Sequence, residues 1–297
     1  MKLLYDINKW VDKGKYYIYD VPQRDPSWSL VKIGRPSGST IGYCLGHSQF
    51  NSPDETALDI CGMRYNYVSK DLVDVTYPII IGKKQKDEKS KRVMELGTIN
   101  EPIAREYYAK SRNVICEEVG YAVPKFEPRI GVSIDGEVKT LDGTPTDGMV
   151  EIKCPENTYK PLLQYLSSEE FIKKNMEVKT NKEKNKVPWK LKTKEDYYYI
   201  WQTHYDQMQM GMGILNKLWC DYVVYSLQGH KLIKRVYFNP DYWNEMLKDI
   251  RIFIETKINP LLGYLNSLPI EYVIEKCLGI NPAEYDKQML KFLLYTI

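Results

Sequence analysis

A chain of 297 residues and 34.8 kDa with 43% apolar content has material for one large core or two small ones. Its formal charge of +3 is too small to single out a polyanion as partner, and its six scattered cysteines, with no C-x-x-C pair, signal neither a zinc site nor a disulfide framework and speak against an iron–sulfur cluster. No apolar run approaches ~18 residues, and the N-terminus MKLLYDINKW carries charge where a signal peptide is apolar, so a soluble intracellular protein with no membrane partner is expected.

In chain order, turn-forming segments at PQRDPSW, GRPSGST and NSPDE precede a helix pattern from Glu55 to Val68. The segment GKKQKDEKSKR after Ile81 reads as a solvated loop or helix start. From Arg92 to Lys110, Met94, Ile103, Ala104 and Tyr107 recur at helical spacing, on an element that also carries Glu95 and Glu101. Three strand signals follow, VICEEVGYAV, RIGVSIDG and GMVEIKCP, with TLDGTPTDG as an inserted hairpin or loop, and these strands are expected to form the central sheet. A helix is expected from Pro155 to about Lys174, then a solvated Lys-rich run from Lys173 to Lys194. Tyr197 to Leu215 reads as a helix packed on the sheet; WCDYVVYSL and KLIKRVYF, joined at Gln228-Gly229-His230, read as an edge hairpin; Pro240 onward reads as helical. The sum is an α/β or α+β fold, a central mixed sheet flanked by helices.

Chemistry concentrates in Gly-Val-Ser-Ile-Asp135-Gly and Val-Glu151-Ile-Lys153-Cys-Pro. Alternate side chains of a strand share a face, so Glu151 and Lys153 point one way and Val150 and Ile152 the other. An apolar strand that puts a carboxylate and an ammonium on one face fits an edge salt bridge, or it fits a site. In the second case Asp135 and Glu151 can hold Mg²⁺, with Mn²⁺ accepting the same oxygen ligands, and the Ile152 backbone carbonyl can add another. Such a centre suits phosphodiester hydrolysis, with Lys153 orienting or deprotonating the attacking water, a task that favours a partly lowered lysine pKa.

Five blocks then fall in one consistent order: Trp28-Ser-Leu-Val-Lys32-Ile-Gly with Ser39-Thr, Asn100-Glu101-Pro-Ile-Ala-Arg-Glu-Tyr-Tyr, Ser133-Ile-Asp135-Gly, Glu151-Ile-Lys153-Cys-Pro, and Tyr205-Asp-Gln207-Met-Gln209. In these the chain resembles the PD-(D/E)xK nuclease superfamily, and within it the phage lambda exonuclease and YqaJ-type viral recombinase nucleases. The resemblance implies a restriction-endonuclease-like core and a single nuclease domain over 1–297: an N-terminal region 1–90 with DNA-end contacts, a catalytic core 91–238, and C-terminal helices 239–297. It implies a Mg²⁺-dependent 5′-to-3′ exonuclease on linear double-stranded DNA that leaves 3′ tails in viral or phage recombination, replication or repair. A related endonuclease or ribonuclease, or a DNA-end-binding protein, is the alternative.

By the same resemblance, Asp135 and Glu151 match the metal carboxylates, Lys153 the catalytic lysine, Glu101 a glutamate close to the metals, and Gln207 the glutamine of the helix behind the site, with Gln209 as the other register. Lys32, Ser39 and Ser133 match groups that hold the terminal 5′-phosphate, lysine standing where the family commonly has arginine. Asp147 competes with Asp135 as first carboxylate, although Asp147 reads better as a turn cap. The phage-type arginine after the Lys-Cys-Pro block is missing; Tyr159 and Lys160 occupy that region. His204, one turn from Gln207, reads as structural. Double-stranded DNA ends are the implied partner, with a single-strand annealing protein downstream; relatives act as homo-oligomeric rings or as monomers, and a viral member works in host cytoplasm, viral factory or nucleus.

Overall fold

The computed structural model describes residues 9–23, 28–48, 50–65, 79–81, 87–155, 200–226, 231–273 and 275–276. Two short strands, β1 (Trp10–Asp12) and β2 (Tyr16–Tyr19), pair across a turn in which Gly14 takes φ 81° and donates its amide to Asp12. Helices α1 (Trp28–Lys32), α2 (Gly38–Cys44) and α3 (Pro53–Ile60) follow. A reciprocal cap starts α3: Glu55 donates its amide to Ser52 Oγ at 3.2 Å, and the Glu55 carboxylate accepts from the Ser52 amide at 2.9 Å. The helix expected from Glu55 to Val68 stops at Ile60 instead. Gly62 turns the chain with φ 69°, and Met63–Tyr65 becomes β3, paired with β4 (Ile79–Ile81); residues 66–68 lie outside the described ones.

Helix α4 (Glu88–Arg112) begins earlier than its apolar pattern, because Asp87 accepts the Ser90 amide at 2.7 Å and caps it inside the charged segment. Asn113, at φ 55°, closes it. The helix covers one face of a five-stranded sheet, with Ala104 and Tyr108 packed on Val138, Val150, Ile152 and Val223. The strands are β5 (Ile115–Glu117), β7 (Gly136–Lys139), β8 (Pro145–Lys153), β9 (Trp219–Tyr225) and β10 (Lys231–Tyr237), in spatial order β10-β9-β8-β7-β5. Only β8 and β9 run parallel. On the opposite face lie α2, α5 (Gln202–Leu215) and α6 (Pro240–Phe253), around Ile41, Met149, Tyr205, Met208, Met212 and Tyr222. The mixed sheet flanked by helices is therefore as expected, and each of these fully buried apolar side chains contributes roughly 1.5–3 kcal/mol.

Two strand expectations are corrected. VICEEVGYAV does not stay in one sheet: its start is β5, and its end is β6 (Tyr121–Pro124), which joins β1 and β2 in a separate sheet of order β1-β2-β6. Gly120 lets the chain change sheets, since a Cβ there would sit 2.1 Å from the Tyr19 carbonyl oxygen. RIGVSIDG makes only the isolated bridges Ser37–Gly131 and Ala122–Val132, and regular pairing begins at Gly136. The TLDGTPTDG excursion is the β7–β8 hairpin turn, with Gly143 at φ 85°. Its capping aspartate is Asp142, which accepts from the Thr140 hydroxyl and from the Thr144 amide at 3.1 Å. Asp147 lies inside β8, exposed.

Strands β9 and β10 pair antiparallel as expected with β10 at the sheet edge, and the joint at Gln228-Gly229-His230 lies outside the described residues. After α6 the chain continues through a π-helical turn (Ile254–Ile258), α7 (Asn259–Asn266) and α8 (Ile270–Val273). The helix expected after Pro155, the Lys-rich run, Tyr159, Lys160 and Cys277 fall outside the described residues, and so do 197–199; α5 starts at Gln202 after an extended Trp201. Among the described residues no helix is long and apolar enough to cross a membrane, and Cys44, Cys61, Cys116, Cys154 and Cys220 are free thiols.

Candidate active site

Strand β8 carries the site. Its Val150 and Ile152 side chains enter the α4 layer, which turns Glu151 and Lys153 toward α5. Glu151 is 1% exposed, and its Oε1 accepts from Lys153 Nζ at 2.5 Å. The same ammonium donates to Gln207 Oε1 on α5 at 3.3 Å. Asp135 sits in the loop just before β7, where its Oδ2 accepts the Ile152 amide at 2.6 Å. Strand geometry thus ties Asp135 to the backbone between Glu151 and Lys153, through the Ile152 N–H. Glu101, on α4, is held by Arg105 at 2.7 Å, and Arg105 also reaches Glu118 at 3.3 Å. Its charge still acts on Glu151, so three carboxylates and one ammonium share a field.

That field decides protonation. Burial, and next the charge of Asp135, push the Glu151 carboxyl up to about 8 from its ordinary 4.5, against the opposing Lys153 ammonium. Burial alone would lower Lys153, but Glu151 and Asp135 outweigh it and hold the ammonium above its ordinary range. The expectation of a partly lowered lysine is therefore corrected: two carboxylates beside it favour the charged form more than desolvation disfavours it.

Among the described residues no three His, Cys, Asp or Glu side chains are gathered closely enough to hold a metal ion. Arg105, Lys153 and the Ile152 amide each bond one of the three carboxylates, Glu101, Glu151 and Asp135. One oxygen nevertheless lacks a donor. Glu151 Oε2 is buried and has no hydrogen-bond partner among the described residues, a state that costs an ionised group several kcal/mol. The donor set is all oxygen, which fits a hard divalent cation.

The remaining expected residues separate into two groups. His204 Nδ1 meets the Tyr222 hydroxyl at 2.8 Å, and burial followed by the Lys153 charge holds it well below its ordinary pKa, so it is a neutral packing partner. Gln209 bonds backbone on both sides, donating to the Tyr237 carbonyl and accepting from the Asn239 amide, each at 2.9 Å. Gln207 and not Gln209 therefore meets the lysine. Asp147 is four residues before Glu151, ~13 Å back along the strand at 3.3 Å per residue.

The second group is spread over the end of α1, the first turn of α2 and the loop before β7. Lys32 Nζ rests 4.4 Å from the Trp28 ring centroid and 5.4 Å from that of Tyr121. Exposed Ser39 stands in the first turn of α2, its Oγ 3.3 Å from Ser37 Oγ. Gly131 donates to the Pro36 carbonyl at 3.1 Å and so lays the loop bearing half-buried Ser133 beside that turn. A Cβ on Gly38 would lie 3.0 Å from Val132 and 3.2 Å from Gln207, so the first turn of α2 sits between the Ser133 loop and Gln207.

Sequence reasoning missed Arg105, although its position four residues after Glu101 on a helix was a signal. It also missed the buried pair His47–Asp206, for which a separation of 159 residues gives no signal.

A family model, the YqaJ-like viral recombinase domain, matches residues 27–214, more than half of the chain. The chain belongs to that family. The YqaJ-like stretch runs from before α1 to the end of α5 and contains Lys32, Ser39, Glu101, Ser133, Asp135, Glu151, Lys153 and Gln207. Comparison with curated proteins returned no match. Among solved structures, the alkaline exonuclease of Laribacter hongkongensis is similar at 20% identity and a TM-score of 0.50, and its complex with dAMP at 19% and 0.51. Each covers 82% of this chain and 98% of the other. A phage-related exonuclease from Haemophilus somnus 129PT gives 9% and 0.43, over 78% and 96%. The first two show that the YqaJ-like chain shares their fold.

Proposed function

We propose that this YqaJ-like chain is a metal-dependent exonuclease that degrades linear double-stranded DNA from the 5′ end and leaves 3′ single-stranded tails. The observation that carries the reading is Glu151: a buried carboxylate with one unsatisfied oxygen, facing Asp135, Lys153 and Gln207 on the stretch that the family model matches. Membership in a viral recombinase family supports a role in recombination, where 3′ tails are the substrate of an annealing protein.

Asp135 and Glu151, with Glu101 at the rim and the Ile152 carbonyl, would hold Mg²⁺ or Mn²⁺. When bound, such a cation supplies charge stabilisation for phosphoryl oxygens and acidifies a coordinated water. Lys153 stays protonated between its carboxylates, so it places a positive charge and a donor toward the phosphate and orients water; it does not take a proton. Gln207 fixes the direction of that ammonium through its Oε1. Lys32, Ser39 and Ser133 receive a terminal 5′-phosphate, since a cation and hydroxyl donors distinguish a dianionic end from an internal linkage.

The test is digestion of linear duplex, with and without a 5′-phosphate, beside a closed circle, in Mg²⁺ and in EDTA. The reading expects Mg²⁺-dependent loss of the linear duplex alone, faster with the phosphate. Cutting of the circle would replace it with an endonuclease, and no cleavage in Mg²⁺ or Mn²⁺ would leave a DNA-end-binding protein.

A further inference from the structure

Helix α2 lies against α5 with its backbone unusually close. A Cβ on Gly42 would fall 2.7 Å from the Thr203 Cα, and one on Gly38 would meet Gln207, so the two helices run antiparallel in contact over a full turn. Just past α2, His47 donates its amide to the Gly42 carbonyl at 2.8 Å and sends its ring into the core. There its Nδ1 meets Asp206 Oδ2 at 2.7 Å, with His47 6% and Asp206 0% exposed. Asp206 Oδ1 accepts from Gln202 Nε2 at 2.7 Å and from the Tyr242 hydroxyl of α6. Burial alone would raise the Asp206 carboxyl, but the His47 charge and these three donors hold it below its ordinary range, so it is an acceptor and His47 Nδ1 the donor.

A buried polar pair of this kind contributes little net stability compared with an apolar packing of the same volume; its attested use is to select one register out of several. The register it selects here is the one that matters for the site. Asp206 is the neighbour of Gln207, which touches Lys153, and the other end of α2 is the turn with Ser37 and Ser39. We propose that His47 and Asp206 are positioning residues that lock α2 onto α5 and thereby fix where the Ser39 turn stands relative to Gln207 and Lys153. This rests on the reading that the first turn of α2 receives the 5′-phosphate of a DNA end.

The experiment compares initial rates of the full chain in Mg²⁺ on duplexes with 5′-phosphate and 5′-hydroxyl ends, for wild type, His47→Ala, His47→Asn and Gly42→Ala. Leu265→Ala, a buried core truncation in α7, serves as a control for lost stability. The ratio of the two rates is the readout. His47→Ala and Gly42→Ala lower that ratio about tenfold, the worth of one displaced charge-assisted hydrogen bond. His47→Asn, whose amide donates near the Nδ1 position, restores most of it, and Leu265→Ala leaves it as in wild type. A ratio unchanged in His47→Ala and Gly42→Ala, or lowered equally in Leu265→Ala, overturns the proposal while the end-phosphate reading stands. A wild-type ratio near one removes that reading and the strut with it. If His47→Ala does not fold, the contrast between Gly42→Ala and His47→Asn decides.

Discussion

At Glu151 the protein keeps a carboxylate away from water with one oxygen unsatisfied, and both consequences are measurable. Its folded carboxyl titrates near 8 and its unfolded one near 4.5, so the protonated form is favoured on folding. Stability from this group is fully present below pH 4.5 and is lost as pH rises through about 8. In EDTA, wild type therefore loses stability relative to Glu151→Gln between pH 5 and 8.5 in urea unfolding; a difference independent of pH would contradict the assignment. Adding Mn²⁺ raises the Tm of wild type and not that of Glu151→Gln. The residue types and their alternation on β8 were legible in the sequence, because a period of two needs no partner to be seen. The sign of the Lys153 shift was not: it depends on how closely Asp135 and Glu151 approach, and Asp135 is placed by a hydrogen bond across 17 residues.

Among the elements, β9 shows how the site strand is held from behind. Asp221, 0% exposed, takes both forks of Arg235 from β10 at 2.8 Å and the Tyr108 hydroxyl from α4 at 2.8 Å. Asp221→Ala leaves a buried phenol and a half-exposed guanidinium unpaired, and the expected loss in urea unfolding is about 3 kcal/mol; a loss below about 1 kcal/mol would show the network to be ornamental. Gly148 belongs to the same support, since a Cβ there would fall 2.1 Å from the Trp219 ring, so Gly148→Ala is expected to cost about 1–3 kcal/mol by overpacking. The pairing of β9 with β10, α6 and the sheet-packed α5 could be read from periodicity. The fate of VICEEVGYAV could not, because leaving the sheet at Gly120 depends on β2, about a hundred residues earlier in the chain.

For the whole molecule, the sheet brings Asp135, Glu151 and Lys153 together, α4 adds Glu101, α5 adds Gln207, and α2 presents a hydroxyl-bearing turn on the same side. This sharing of labour explains why ordered blocks spread over the sequence signalled the site better than any one of them. On the proposed reading it also separates binding from chemistry: residues on α1 and α2 would hold a DNA end even with β8 chemically silent. The most direct measurement is single-turnover cleavage of a linear duplex in Mg²⁺ by wild type and Lys153→Ala, with binding of the same duplex measured in EDTA. The account predicts that Lys153→Ala binds as wild type does and cleaves at least ~100-fold more slowly, the usual cost of removing one group that stabilises transition-state charge. Cleavage at the wild-type rate would take Lys153 out of the mechanism and the proposed centre with it.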